Sequence, residues 1–105
     1  MRVTISHKKP KPEMKDTVDR TFDKMFEPSG GIPVQIVVDH KSWNGDVLTF
    51  AVTAKMAFMS TPIKGTVEVT DHDVTVDADL GVLGSFIGEK KAQEMVEKRI
   101  KGLLT

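Results

Sequence analysis

The sequence has no cysteine, which excludes disulfide bridges and thiolate metal sites. It also has no net charge, because fifteen Lys and Arg residues balance fifteen Asp and Glu residues. Without a surplus of positive charge, the chain has no overall field that would attract nucleic acid. No apolar run approaches the roughly 20 residues of a membrane span, and the first residues lack the apolar core of a signal peptide. We therefore expect a cytoplasmic protein without a transmembrane segment.

The length and composition predict a single α+β domain over residues 1–105. Hydrophobic residues make up 39% and charged residues 29% of the chain, as in ordinary globular proteins. The sequence shows no internal repeat and no low-complexity linker. A chain of this size can bury one hydrophobic core without covalent or metal staples.

Alternating apolar residues predict five β-strands. Residues 2–6 form the first strand, and the second begins at Val34 and carries His40 on its apolar face. The pair Asn44-Gly45 predicts a hairpin turn into a long third strand with inward residues from Leu48 to Phe58. Residues 60–62 (STP) are expected to separate strands three and four, and residues 71–73 (DHD) to form the turn before strand five.

Two amphipathic helices complete the predicted order β-α-β-β-β-β-α. The first runs from Pro12 to about Glu27, and the second follows residues 80–88 and ends the chain. Polar residues on one side of every strand indicate that both helices pack on the other side. The predicted fold is a two-layer α+β domain with a curved, antiparallel, five-stranded sheet in a helix-grip-like arrangement.

The candidate catalytic and metal-binding residues have simpler structural explanations. We expect His7 to be exposed and His40 to lie on the apolar face near Trp43. The tip residue His72 lies between two aspartates that turn formation already explains, and three adjacent residues cannot easily bind one ion. The glycines of residues 81–88 lack the lysine of a phosphate-binding loop. We therefore expect no enzyme, no cofactor and no metal site.

Residues 80–88 (LGVLGSFIG) and 56–59 (MAFM) are the features that suggest a function. Nine residues without a charge follow strand five, and the Met-rich segment lies at the end of strand three. Exposed apolar segments often mark contact sites, and methionine adapts to varied apolar surfaces. An alternative is that the nine residues are buried as the start of the helix. The candidate residues for hydrophobic contact or ligand binding are Met56, Phe58, Met59, Leu80, Val82, Leu83, Phe86 and Ile87.

The chain resembles the small polyhydroxyalkanoic acid system proteins of bacteria along nearly its whole length. The matching segments are residues 3–7 (VTISH), 43–50 (WNGDVLTF), 63–70 (IKGTVEVT), 74–80 (VTVDADL) and 100–104 (IKGLL). These proteins are encoded near genes for the synthesis and coating of storage-polyester granules, and the family has no assigned catalytic residues. The resemblance implies a role near polyester metabolism and gives no mechanism.

Two functions are compatible with these observations. The first is a non-enzymatic protein that contacts the polyester granule surface or a granule protein. The second is a small binding protein that holds an apolar lipid or acyl ligand between the sheet and the C-terminal helix. A homodimer formed through the free edge strands is compatible with either function. The sequence does not distinguish a filled sheet–helix interface from a hollow one.

Overall fold

The computed structural model describes residues 1–25, 35–56, 59–80 and 88–104. Within these ranges the chain forms five strands and two helices in the predicted order. Their bounds are β1 Arg2–Ser6, α1 Lys11–Met25, β2 Gln35–Asn44, β3 Val47–Met56, β4 Met59–Val69, β5 Asp73–Asp79 and α2 Glu89–Leu104. The two-layer α+β prediction is therefore confirmed, whereas the helix-grip-like description stays a prediction.

The five strands form one antiparallel sheet in the order β1-β5-β4-β3-β2. Strands β2 to β5 are sequential neighbours, as predicted, and β1 joins the sheet beside β5. The inner face of the sheet carries the buried apolar residues that alternation predicted for β3, β4 and β5. They are Leu48, Phe50, Val52, Ala54, Ile63, Val67, Val69, Val74, Val76 and Ala78.

Helix α1 packs on the inner face through residues spaced four apart. Met14, Val18 and Phe22 are each 0% exposed, as expected for one stripe of an amphipathic helix. Helix α2 lies beside α1 and β1 and buries Ala92, Ile100 and Leu104. The first-helix prediction extended to Glu27, whereas the described helix ends at Met25 and residues 26–34 lie outside the described ranges.

The predicted separation of strands three and four by residues 60–62 is wrong. β4 already begins at Met59, which pairs with Met56, so residues 60–62 lie within β4. Proline is tolerated at position 62 because β4 pairs with β5 only from Lys64 onward, so no ladder bond to β5 is lost there. The hairpin prediction at Asn44-Gly45 is confirmed, with Gly45 at a φ of 63°.

A β-bulge in β2 overturns the predicted side of His40. The pairing shifts between Val38 and His40, so that Val38 faces Val52 while His40 faces Ala51. The extra residue reverses the alternation. It therefore puts His40 on the outer, solvent-facing side of the sheet, where it is exposed, and turns Trp43 toward the helices.

A glycine in β4 makes room for Phe50, the largest fully buried side chain among the described residues of the sheet. Gly65 pairs with Phe50, and the Phe50 ring lies directly over it. The same ring meets Phe22 of α1 edge-on, with centroids 5.2 Å apart and planes at 62°. This geometry is favourable for aromatic pairs, and it joins the sheet to the helix at the centre of the core.

We expect Gly65→Ala to destabilise the protein by about 1–3 kcal/mol or more, because the new methyl group overpacks the core. An alanine Cβ at this position would lie 2.7 Å from Phe50 Cζ and closer still to the carbonyl oxygen of Asp77. Urea unfolding monitored by circular dichroism measures the change.

The matched control is Gly102→Ala in α2, where a Cβ would meet no atom within 4 Å. Alanine has the higher helix propensity, so this variant should be unchanged or more stable by up to about 1 kcal/mol. Equal stability of Gly65→Ala and the wild type would contradict the proposed packing.

Candidate functional site

The two ends of the sheet differ in character. One end, called here the polar end, carries the described connections at residues 7–10, 45–46 and 70–72. The opposite end, called here the apolar end, is where β2 begins at Gln35 and where Met56 pairs with Met59. Of the sequence-predicted candidates, His7 and His72 lie at the polar end and Met59 lies at the apolar end.

His7 helps to hold the polar end together, which contradicts its predicted exposure. Its ring is buried, Nδ1 accepts a hydrogen bond from the Lys9 backbone N–H (3.1 Å), and Nε2 lies 2.8 Å from the Thr70 carbonyl oxygen. Since Nδ1 accepts, Nε2 carries the hydrogen and donates it to Thr70. The His7 backbone N–H also donates to the carbonyl oxygen of His72 (2.9 Å). The imidazole thus ties the end of β1 to the β4–β5 turn.

The start of α1 is bound to both neighbouring turns of the polar end. The Lys11 backbone N–H donates to the Asp71 carboxylate (3.2 Å), which satisfies one of the free N–H groups of the first helical turn. The Lys11 ammonium lies 3.1 Å from Asp46, and the Lys15 ammonium donates to the Gly45 carbonyl oxygen at 2.7 Å. The hydrogen bond from Lys11 lowers the pKa of the Asp46 carboxyl and raises the pKa of Lys11 itself.

Asp19, in the middle of α1, binds two residues that the β2 bulge turns inward. Trp43 Nε1 donates to the Asp19 carboxylate (3.1 Å), and the Lys41 ammonium lies 3.4 Å from it. The hydrogen bond from Trp43, assisted by the charge of Lys41, holds the pKa of Asp19 below its usual value. The Lys41 ammonium also lies 5.4 Å from the Phe22 ring centroid. These contacts show that α1 runs antiparallel to β2, from the polar end toward the apolar end.

The polar end therefore uses its charged groups to hold the fold together. Within the described ranges, no three His, Asp or Glu side chains converge in a way that could hold a metal ion. The carboxylates of Asp77 and Asp79 are exposed on the outer face, as expected for a solvated strand. His72 is exposed at the tip of the β4–β5 turn, and its backbone N–H donates to the Thr70 hydroxyl.

Two of the predicted contact residues, Met59 and Leu80, have side chains that the structure describes. Met59 is 42% exposed, the largest exposure of a big apolar side chain among the described residues. β5 ends opposite Lys64, so the chain leaves the sheet at Leu80 in the direction of Met59. Leu80 itself is buried, with 9% of its surface exposed. The Met56 side chain lies outside the described set, as do Phe58, Val82, Leu83, Phe86 and Ile87.

The connections at the polar end differ in charge from several segments elsewhere in the chain. The polar-end connections contain Lys8, Lys9, Asp46 and Asp71. Gln35, Met56 and Met59 lie at the apolar end. In the sequence, residues 28–34, 57–58 and 81–87 contain no charged residue, whereas position 27 is a glutamate.

Two features of the site were not predicted from the sequence: the contacts of Lys41 and Trp43 with Asp19, and the hydrogen bonds of the buried His7 ring. A signal for the first two was present, because Ile36 and Val38 occupy even positions of β2 whereas Trp43 occupies an odd one. Both sets can face the helices only if an extra residue lies between them, which is the bulge. For His7 no comparable signal exists, since its partners are backbone groups far away in the sequence.

The family of the chain follows from its full-length match. A family model described as "putative polyhydroxyalkanoic acid system protein" matches residues 1–104. The chain belongs to this family. Comparison with curated proteins and with solved structures gave no significant match. In the part of the chain that the structure describes, no helix is both long and apolar enough to cross a bilayer. Family membership suggests an accessory protein of the polyhydroxyalkanoate system.

We expect Asp46→Asn to lower the unfolding temperature at pH 7, and we expect this effect to shrink as the pH falls below 3.8 and through the folded-state pKa of Asp46. The folded-state pKa of Asp46 lies below the ordinary 3.8 because Lys11 and Lys15 surround the carboxylate. A lowered folded pKa contributes stability above the unfolded value, and this contribution disappears as the pH falls through the folded value. The loss at pH 7 should be small and should shrink in high salt, because the ion pairs are partly exposed.

Thermal unfolding of both proteins between pH 2 and pH 7 measures this difference. Asp16→Asn is the control, since Asp16 forms only an exposed pair with Arg20 within the same helix. A constant difference between Asp46→Asn and the wild type over the whole range would contradict the electrostatic explanation.

Proposed function

We propose that this protein is a non-enzymatic accessory protein of polyester storage that contacts the granule surface with its apolar end. The contact surface would consist of Met59 together with the sequence-predicted residues Met56, Phe58, Val82, Leu83, Phe86 and Ile87, without the buried Leu80. The protein would then work in the cytoplasm, at the surface of the storage granules. The observation that carries the proposal is the exposed Met59 at the apolar end, in a chain of this family.

The separation of charge along the molecule supports an end-on contact. A polyester surface offers ester and alkyl groups and no charge, so charged residues would lose hydration without gaining partners there. The polar end holds charged connections that are engaged with α1, whereas Met59 at the apolar end is exposed. An apolar end facing the surface and a polar end facing water minimise this loss.

The packing of the inner face favours this function over the alternative of an apolar ligand held between sheet and helix. Where α1 covers the sheet, Met14, Val18, Phe22 and Leu48 are each 0% exposed, and Phe50 is 1% exposed. Phe22 contacts Phe50 directly across the two layers. Side chains occupy the space that a ligand beneath α1 would need. A ligand beside α2 remains the alternative, and native mass spectrometry of the purified protein would detect it.

Partition onto polyester tests the proposal. Purified protein is mixed with poly(3-hydroxybutyrate) particles, and the bound fraction is measured after sedimentation. We expect saturable binding, and we expect Met59→Gln to weaken it by about fivefold, equivalent to about 1 kcal/mol of lost apolar contact. Hydrophilic silica particles of equal surface area serve as the neutral control.

The matched variant is Val47→Gln, which makes the same kind of change at the polar end. It should bind as the wild type does, and circular dichroism should show that both variants are folded. Equal binding to silica and polyester would contradict the proposal. Binding only to granules that keep their native protein coat would replace the polyester by a granule protein as the partner.

A further inference from the structure

The outer edge of β2 is a pairing surface that the sheet itself does not use. Among the described strands, β2 is the last of the sheet and pairs only with β3, whereas the other edge strand, β1, has α2 packed against it. β2 has ten residues and β1 has five. A strand edge presents a row of N–H and C=O groups that can pair with another strand. The edge of β2 is therefore the candidate site for a partner strand.

The hydrogen-bonding pattern of the sheet identifies the backbone groups on this edge. The Val69 backbone N–H donates to the Asp46 carbonyl oxygen, so the even-numbered residues of β3 direct their backbone groups to β4 and the odd-numbered ones to β2. The partners of the odd-numbered residues in β2 point back to β3. The residues of β2 whose backbone groups point away from β3 are Ile36, Val38, Lys41 and Trp43.

A second copy of β2 matches this edge in an antiparallel register. If Val38 lies opposite Lys41 of the partner subunit, Ile36 lies opposite Trp43 of the partner subunit. All the outward-pointing residues then form pairs, and each pair exchanges two backbone hydrogen bonds. The two-fold axis passes between Asp39 and His40, at the bulge. The same patch thus meets itself, as in other symmetric dimers.

The side chains that face each other in this register are complementary. On the inner face, the half-buried Trp43 would cover Ile36 of the partner subunit, and aromatic and β-branched residues form favourable cross-strand pairs. On the outer face, Asp39 accepts a hydrogen bond from the Thr53 hydroxyl at 2.5 Å, and His40 is exposed. Each Asp39 carboxylate would face His40 of the partner subunit, whose imidazole can donate a hydrogen bond to it.

The bulge favours a second copy over an unrelated strand. A bulge bends a strand and increases its twist, which protects an edge against pairing with regular strands. A second copy brings the same bend to the two-fold axis, so the two strands twist alike where they meet. An unrelated regular strand has neither this bend nor an imidazole opposite Asp39.

We propose that the protein forms a symmetric dimer through β2 of each copy, in the register that places Val38 opposite Lys41 of the partner subunit. The two sheets then continue into one another. This proposal does not depend on the contact with polyester, and the antiparallel arrangement directs the apolar ends of the two copies in opposite directions. Because one strand pair is a small interface, we expect a dissociation constant on the order of micromolar.

Sedimentation equilibrium over a series of protein concentrations tests the dimer. His40→Glu should weaken dimerisation by about tenfold, because two symmetry-related pairs would then bring carboxylates together. His40→Lys should keep or strengthen the dimer, because an ammonium would face Asp39 of the partner subunit. His72→Glu is the matched control, because His72 is exposed in the β4–β5 turn, away from β2.

Cysteine cross-linking tests the register, since the chain has no cysteine of its own. Val37 lies opposite Ser42 of the partner subunit in a pair without backbone hydrogen bonds, where the Cα atoms are about 4.5 Å apart. This separation suits a disulfide. A mixture of the Val37→Cys and Ser42→Cys variants should therefore cross-link on mild oxidation. Ser42→Cys alone should not, because the two symmetry-related positions lie five residues apart along the strands.

Each contrary result has a defined meaning. A monomer at every concentration, or equal dimerisation of His40→Glu and His72→Glu, would overturn the proposal. Efficient cross-linking of Ser42→Cys alone would overturn the register. Circular dichroism should show that all variants are folded. Particle partition separates this proposal from the previous one, because His40→Glu should still bind polyester as the wild type does.

Discussion

The contact of Phe50 with Gly65 on one side and with Phe22 on the other is the constraint on which the remaining structure depends. Phe50 is the largest fully buried side chain among the described residues of the sheet, and only a residue without Cβ leaves room for its ring over β4. The Phe50 ring then contacts the Phe22 ring of α1 in an edge-on arrangement, with 5.2 Å between the ring centroids. A larger residue at position 65 would displace the ring, and with it the helix that Met14 and Val18 also anchor. The position of α1 and the packing of the core thus both depend on the cross-strand pair of Phe50 and Gly65.

The polar end depends on the same helix position. The contact of Phe22 with Phe50 holds α1 against the sheet. The first turn of α1 then lies beside the β2–β3 hairpin, so that its lysines reach Asp46 and the Gly45 carbonyl oxygen. The β4–β5 turn approaches from the other side and contributes Asp71 to the helix N-terminus. Charged residues at this end are therefore engaged with neighbouring elements.

Alternation predicted the inner faces of β3, β4 and β5 because one dry and one wet face leave a clear period of two. It failed where the chain's own signals conflict. Residues 60–62 resemble a turn, but the pairing of Met56 with Met59 continues the hairpin and draws them into β4. His7 looked exposed, since a basic loop follows it, yet distant backbone groups bury its ring. The burial of Leu80 agrees with the same alternation, which put Leu80 on the apolar face of strand five after Ala78.

The β2 bulge shows why a single extra residue can carry more consequence than any motif in this chain. In a regular strand, either Ile36 and Val38 or Lys41 and Trp43 would face the helices, but not both pairs. The extra residue lets the first pair cover the core and the second pair bind Asp19 of α1. The same reversal sends His40 to the outer face, opposite Lys64 across Ala51. The contacts that secure the helix and the outward position of His40 are therefore products of one irregularity, and a change that removed the bulge would remove both together.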